Sequence, residues 1–245
     1  MNKLKLDELV AEGGRLLPGI SHINDPVEIV RHKSTYKLFT EIIIKDLINN
    51  PIMLKKEISI LDIGCGSGHG SYTLSLIPNS FIYAMDQSSE ALDFARCYYN
   101  NDNIKYFQSS VEDFVLNNSK EFDYIVTRHA LEHVKAGVDI VLPLKFTKRM
   151  MISVPYMEPE NGTIHHLHFN INESHFKKFA NYEFIFEGRS GINDLVKMND
   201  ERINSFTCIS SSEELSKVKD IIKFPYKPYE FKGMEKVLVD ILIEQ

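Results

Sequence analysis

Short runs of β-branched and aromatic residues alternate along the chain with stretches whose apolar positions recur at helical spacing. This is the pattern of strand–helix–strand units wound into a mainly parallel sheet. The strand runs are ISILDIG (58–64), FIYAMD (81–86), IKYFQS (104–109), FDYIVTR (122–128) and RMMISVP (149–155), followed by two weaker ones, YEFIFEG (182–188) and SFTCIS (205–210). After the second run, SSEALDFARCYYN starts at Ser88, a residue type that caps helices, and sets Ala91, Leu92 and Ala95 at helical spacing. Further helices are expected over 68–77 and 173–180, and the first 50 residues read as a helical lead-in before the sheet. No internal repeat or low-complexity linker interrupts the pattern.

Composition narrows the class. With 245 residues, 43% of them hydrophobic, the chain can bury a full core in one domain. The expected organisation is a single domain over 1–245: a lead-in (1–50), a ligand-binding core (51–156), and substrate-side elements with a C-terminal extension (157–245). A net charge of −6 removes the basic field that bulk nucleic-acid binding needs. Cys65, Cys97 and Cys208 are odd in number and widely spaced, as in reduced thiols rather than a zinc or redox motif. The opening MNKLKLDELVAEGG carries acids where a signal peptide needs an apolar core, and no apolar run reaches the roughly 18 residues of a membrane span. A cytoplasmic location is expected.

The candidate chemistry begins at ISILDIGCGSGHG, where a glycine-rich loop leaves a strand and opens a helix, a setting in which backbone amides cradle a ligand. Counted from Gly64, a dinucleotide fingerprint needs a glycine at position 69, which is His69, and no Gly-Lys-Ser/Thr follows for a P-loop. The remaining ligand is an adenosine without a pyrophosphate, with Asp86 at the end of the second strand able to accept from ribose hydroxyls.

These residues resemble class I S-adenosylmethionine-dependent methyltransferases of the type 11 and ubiquinone-pathway kind. The resemblance rests on LDIGCGSG (61–68), MDQSSEAL (85–92), SSVEDF (109–114), FDYIVTRHALEHV (122–134) and ISVPY (152–156), and covers about residues 10–180. It implies a Rossmann-like seven-stranded, mainly parallel sheet with helices on both faces and an antiparallel last strand. It also implies S-adenosylmethionine as cofactor. Asp62, Gly64, Gly66 and Gly68 would then line its methionine part, Asp86 the ribose with Gln87 beside it, and Ser110 and Val111 the adenine. Tyr36 and Arg128 would complete the pocket. Ser110 stands where the family often has Asp, and PLKFTKRM lacks the usual Gly-Gly before the fifth strand.

Methyl transfer from a sulfonium is an in-line displacement, so a hydroxyl acceptor has to be aligned and relieved of its proton. At the end of the fourth strand, His129 is the candidate general base, with His133 as second catalytic candidate. Five of the nine histidines fall between residues 129 and 168. His-x-x-Glu-His on a helical turn, with an imidazole from GTIHHLHF, could ligate a divalent metal through His129, Glu132, His133 and His165. Ubiquinone-pathway and small-RNA terminal methyltransferases resemble this with Glu-x-x-Glu-His and a later His. The alternative is that Glu132 and His133 only cap and pack, while His165, His166 and His168 wall the acceptor site together with Arg15.

GGRLLPGI (13–20) and STYKLF around Tyr36 resemble the lead-in of bacterial methyltransferases acting on surface-polysaccharide sugars or their precursors. A small sugar-bearing or phosphorylated acceptor is therefore expected. KFPYKPYEFKG (223–233) interleaves lysines with rings, which suits either base stacking or packing against the domain. Three classes stay open: a small-molecule O-methyltransferase, a metal-assisted enzyme acting on RNA or a quinone-type molecule, and a non-catalytic cofactor-binding module.

Overall fold

The structure, a computed structural model, describes residues 26–160, 165–188, 191–193 and 203–226. Strands β1 (Ile58–Ile63), β2 (Ser80–Asp86), β3 (Ile104–Gln108), β4 (Phe122–Arg128) and β5 (Phe146–Pro155) follow the first five apolar runs. β6 (Tyr182–Gly188), β7 (Gly191–Asn193) and β8 (Ser205–Ser211) complete one sheet in the order β3-β2-β1-β4-β5-β8-β6-β7. The pairings from β3 to β5 are all parallel, and β8 runs antiparallel between β5 and β6. The seven expected strands are thus present with the antiparallel last strand, and the three-residue β7 adds an eighth at the edge.

Period-two alternation divides the strands between two cores. Ile58 and Ile60 of β1, Tyr124 and Val126 of β4, Met151 of β5 and Ile209 of β8 face the first core. Leu61, Ile63, Ile125, Ile152 and Cys208 face the second. The first is covered by α1 (Pro26–Asn49), α2 (His69–Ser75), α3 (Ser89–Tyr98) and α5 (Val218–Ile221), through residues such as Phe39, Ile43, Leu74, Leu92 and Val218. α4 (Val111–Asn117) and the 3-10 turns Leu131–His133, Gly137–Val141 and Glu173–Phe176 cover the second. Helices therefore lie on both faces. Among the described residues no helix is long and apolar enough to cross a membrane.

Ser88 caps α3 as its residue type predicts, its hydroxyl accepting from the Ala91 amide at 3.2 Å. The expected helix over 173–180 is instead the single 3-10 turn Glu173–Phe176. Phe176 and Phe179, three residues apart, are both buried, and a three-residue turn puts them on one side.

One face of the sheet carries charge into the core. Arg149 of β5 is 0% exposed and grips Asp46 of α1 with both ends of its fork, Nε to Oδ2 at 2.8 Å and Nη2 to Oδ1 at 2.7 Å. It also donates to Ser211 Oγ and the Ser216 carbonyl, while the Tyr124 hydroxyl donates to Asp46. Removing one member leaves a buried charge uncompensated. Arg149→Met is expected to lower the urea-derived unfolding free energy by about 3–5 kcal/mol, and the Asp46→Leu/Arg149→Met pair to recover most of that loss.

Candidate active site

The chain runs outward from β1 to β2 and β3, then returns to β4 on the other side of β1, so the β1/β4 boundary is the switch point where open α/β sheets hold ligands. The loop after β1 lies there. The amides of Gly64 and Cys65 both donate to the Met85 carbonyl at 2.9 Å, drawing the loop over the end of β2. Gly64, Gly66 and Gly68 all have left-handed φ, of 71°, 52° and 87°. A Cβ on Gly64 would lie 2.4 Å from that of Ala130, just beyond β4, whereas one on Gly66 would meet nothing within 4 Å. The loop is therefore closed against β4 at Gly64 and open at Gly66. Asp86, ending β2, accepts from the Gly66 amide through Oδ2 and from the Ser88 amide through Oδ1, each at 2.9 Å.

Asp62, Tyr36 and Arg128, expected at the cofactor, are buried beneath this loop. Asp62 accepts from the Ser71 hydroxyl at 2.6 Å and the Tyr36 hydroxyl at 3.0 Å. The Tyr36 ring lies so close to Gly70 that an added Cβ would come within 2.1 Å of it. Arg128 Nε donates to Thr35 Oγ1, and that hydroxyl donates to Glu187, both at 3.1 Å. Along the rim, Gln87 is exposed, and Ser110 caps α4 by accepting from the Asp113 amide at 3.0 Å, with Val111 as the helix's first residue.

Beyond β4 the structure departs from the expected His-x-x-Glu-His helical turn. His129 takes φ 49° and stands outside the 3-10 turn, which begins only at Leu131. Its Nε2 meets Ser205 Oγ of β8 at 2.9 Å, so it does not share a face with Glu132 and His133. Glu132 is 0% exposed, neither carboxyl oxygen has a side-chain hydrogen-bond partner among the described residues, and burial pushes the group up to about 8. His133 Nδ1 meets the His165 carbonyl at 3.0 Å, and its ring stands edge-on to that of His166 at 4.6 Å. Donor atoms of Glu132, His133 and His166 all lie within 4.8 Å of one another. The metal-competent set is thus Glu132, His133 and His166: of the four expected ligands His129 turns away to β8, and His165 contributes a carbonyl to its neighbour.

His168 is occupied structurally, with Nε2 against the carbonyls of Val134 at 2.9 Å and Lys135 at 3.0 Å. Arg15 lies outside the described residues, as do 227–233 of the lysine-aromatic segment. Sequence reading missed Glu158, which contacts His166 Nδ1, and Ser205 and Glu187, which reach the site from β8 and β6. Glu158 stands in a Pro-flanked loop without periodicity, so no local signal marks it.

Known proteins resemble the core that this geometry describes. Residues 60–142 match the family model of a methyltransferase domain. Over 90 residues, 36% of each chain, the protein is 31% identical to a ubiquinone biosynthesis O-methyltransferase of Rickettsia bellii. The match thus spans about a third of the length of its curated relatives. Among solved structures, the plantazolicin methyltransferase BpumL, in complex with a monoazolic desmethylPZN analog and SAH, superposes with a TM-score of 0.54 at 15% identity, covering 76% of this chain and 87% of that one. WbdD gives a TM-score of 0.55 at 18% identity over 84% of this chain and 41% of its own. A SAM-dependent methyltransferase from Archaeoglobus fulgidus gives 0.50 at 13% identity, over 77% of this chain and 100% of its own. These likenesses show a shared fold around the matched segment.

The carboxyl under the loop makes the stability of this domain depend on pH. Burial pushes Asp62 from an ordinary 3.8 to about 6, against the pull of the Ser71 and Tyr36 hydroxyls. The folded state then holds a proton that the unfolded state releases. The contribution is complete below about pH 4, falls as pH rises toward 6 and is flat above. Asp62→Asn carries no charge at any pH, so its stability relative to the parent is expected to rise by about 2–3 kcal/mol between pH 4 and 7. Urea unfolding at several pH values reads this, and a pH-independent difference would show that Asp62 ionises normally in the fold.

Proposed function

We propose that this protein is an S-adenosylmethionine-dependent methyltransferase that methylates an oxygen of a small acceptor. The observation that carries the reading is the open stretch of loop at Gly66, bonded to Asp86 at the switch point of a methyltransferase domain. The O-methyltransferase of Rickettsia bellii supports oxygen as the accepting atom. Gly64, Gly66 and Gly68 line the methionine part, Asp86 the ribose hydroxyls with Gln87 alongside, and Ser110 and Val111 the adenine edge. The sulfonium supplies an activated methyl group.

The chain's own tasks are to align the acceptor, exclude water and remove a proton. His129 is the general base of this reading. It stands beside the Gly64–Ala130 contact, with its imidazole oriented by Ser205, and a non-glycine residue at positive φ is the kind of local strain that functional sites retain. A small sugar-bearing or phosphorylated acceptor fits the acidic chain better than a polyanion does, and Arg15 of the lead-in and the imidazoles of His165 and His166 are its proposed contacts, His168 being taken up by its two carbonyls.

A second reading is favoured by one observation, the buried and unpartnered carboxylate of Glu132 facing two imidazoles. A carboxylate and two neutral imidazoles suit a first-row divalent cation, and burial holds His133 below the ordinary histidine range, toward the neutral form a ligand needs. Such a cation would hold an acceptor hydroxyl and favour its ionised form. Under this reading the acceptor includes quinone-type phenols or an RNA end.

Calorimetry tests the donor site. Gly66→Ala is expected to fold, at a cost of about 1–2 kcal/mol for the left-handed alanine, and to bind S-adenosylmethionine at least 10-fold more weakly. Unchanged affinity, or preference for NAD by the parent, overturns the assignment. Turnover separates the two routes to proton removal. His129→Ala is expected to lower kcat by about 10²-fold or more with donor affinity intact, whereas loss on chelation, restored by manganese or magnesium, transfers that role to the cation site.

A further inference from the structure

We infer that Glu158 is a positioning residue that presents His166 to a divalent cation held by Glu132, His133 and His166. This inference rests on the cation reading of the site. Its basis is how each imidazole is held. An imidazole whose Nδ1 proton is taken by an acceptor has its lone pair on Nε2, and metal-binding histidines are commonly fixed in this way by a carbonyl or a carboxylate. Both kinds of partner occur here. The His165 carbonyl faces Nδ1 of His133, and the Glu158 carboxylate faces Nδ1 of His166. His166 Nε2 is then directed at Glu132, 3.9 Å from Oε1, and the remaining donor atoms converge on the same point.

Glu158 and His166 are brought together by one short loop closed at its base. The Met157 amide donates to the Ile171 carbonyl at 2.9 Å and the Asn170 amide to the Glu158 carbonyl at 2.8 Å. The loop is also clamped onto the Leu131–His133 turn. The amides of Leu167 and His168 both donate to the Glu132 carbonyl, at 2.8 Å and 3.2 Å, and the His168 imidazole reaches the carbonyls of Val134 and Lys135. Gly137 makes room for that imidazole, since a Cβ there would lie 3.2 Å from its ring. The ligands are thus held by protein contacts that need no ion. His133 is exposed whereas the His166 side chain is only 10% exposed, so the set meets solvent chiefly at His133. A carboxyl group this deep, its oxygens without a hydrogen-bond partner among the described residues, is not accounted for by packing.

The test is Co²⁺ binding to the full chain, followed by its visible absorption and by calorimetry, for the parent, Glu132→Gln, Glu158→Gln and Glu158→Asp, with Glu160→Gln as a neighbouring control. Glu132→Gln is expected to abolish the site. Glu158→Gln is expected to weaken Co²⁺ by about 10- to 100-fold, Glu158→Asp to recover part of this, and Glu160→Gln to match the parent. If Glu132→Gln weakens binding but Glu158→Gln does not, the positioning role fails and the cation site stands. If the parent binds no more tightly than Glu132→Gln, the cation reading fails and this inference with it. A readout that needs no variant is the ¹⁵N spectrum of His166 in the metal-free parent, expected to show the proton on Nδ1. A proton on Nε2 overturns the proposal.

Discussion

Everything at the candidate site depends on how closely two backbone segments approach at the carboxyl ends of β1 and β4. Only a residue without a side chain fits at Gly64, because Ala130 occupies the place a Cβ would take. That approach forces the chain to turn sharply as it leaves β4, and His129 absorbs the turn at φ 49°. The 3-10 turn that follows drives Leu131 and Glu132 inward and leaves His133 facing out. One steric condition therefore sets the open loop at Gly66, the direction of His129 and the burial of Glu132.

The support beneath is polar and runs from a single helix. Thr35, Tyr36 and Asp46 of α1 tie respectively to Arg128 and Glu187, to Asp62, and to Arg149. Between these ties Leu38, Phe39, Ile42 and Ile43 are fully buried and supply the non-directional part of the packing. Apolar contact alone would let the helix slide along the sheet. Three sets of directional bonds to different strands specify its position, and with it the floor under the glycine loop.

What the sequence discloses follows from the range of the forces involved. The seven strands, the Ser88 cap and the glycine loop are local, because each is written in period-two alternation, a capping residue or the spacing of bare backbone, and each stands where its pattern places it. The His-x-x-Glu-His turn fails as a local reading because helical spacing presumes helical φ, and His129 does not have it. The helix over 173–180 fails because burial of Phe176 and Phe179 outweighs propensity. Pairs such as Asp46 with Arg149, or His129 with Ser205, are separated by 103 and 76 residues and leave no trace in periodicity.

On the proposed reading, the donor and acceptor halves of the crevice are built from different materials. The donor half consists of amides, glycines and one carboxylate whose oxygens already accept from Gly66 and Ser88, so its shape depends little on side-chain identity. The acceptor half is made of side chains, His129 against Ser205, and Glu132, His133 and His166 bound to a clamped loop. Burying the Glu132 carboxyl costs free energy that its own backbone and the Arg128 charge offset only in part, since the group stays raised, and a well-packed apolar residue there would remove that cost. Local choices that oppose stability in this way are characteristic of functional positions. On that reading the acceptor chemistry lies in the turn after β4 and the residues after β5, while the glycine loop serves the donor.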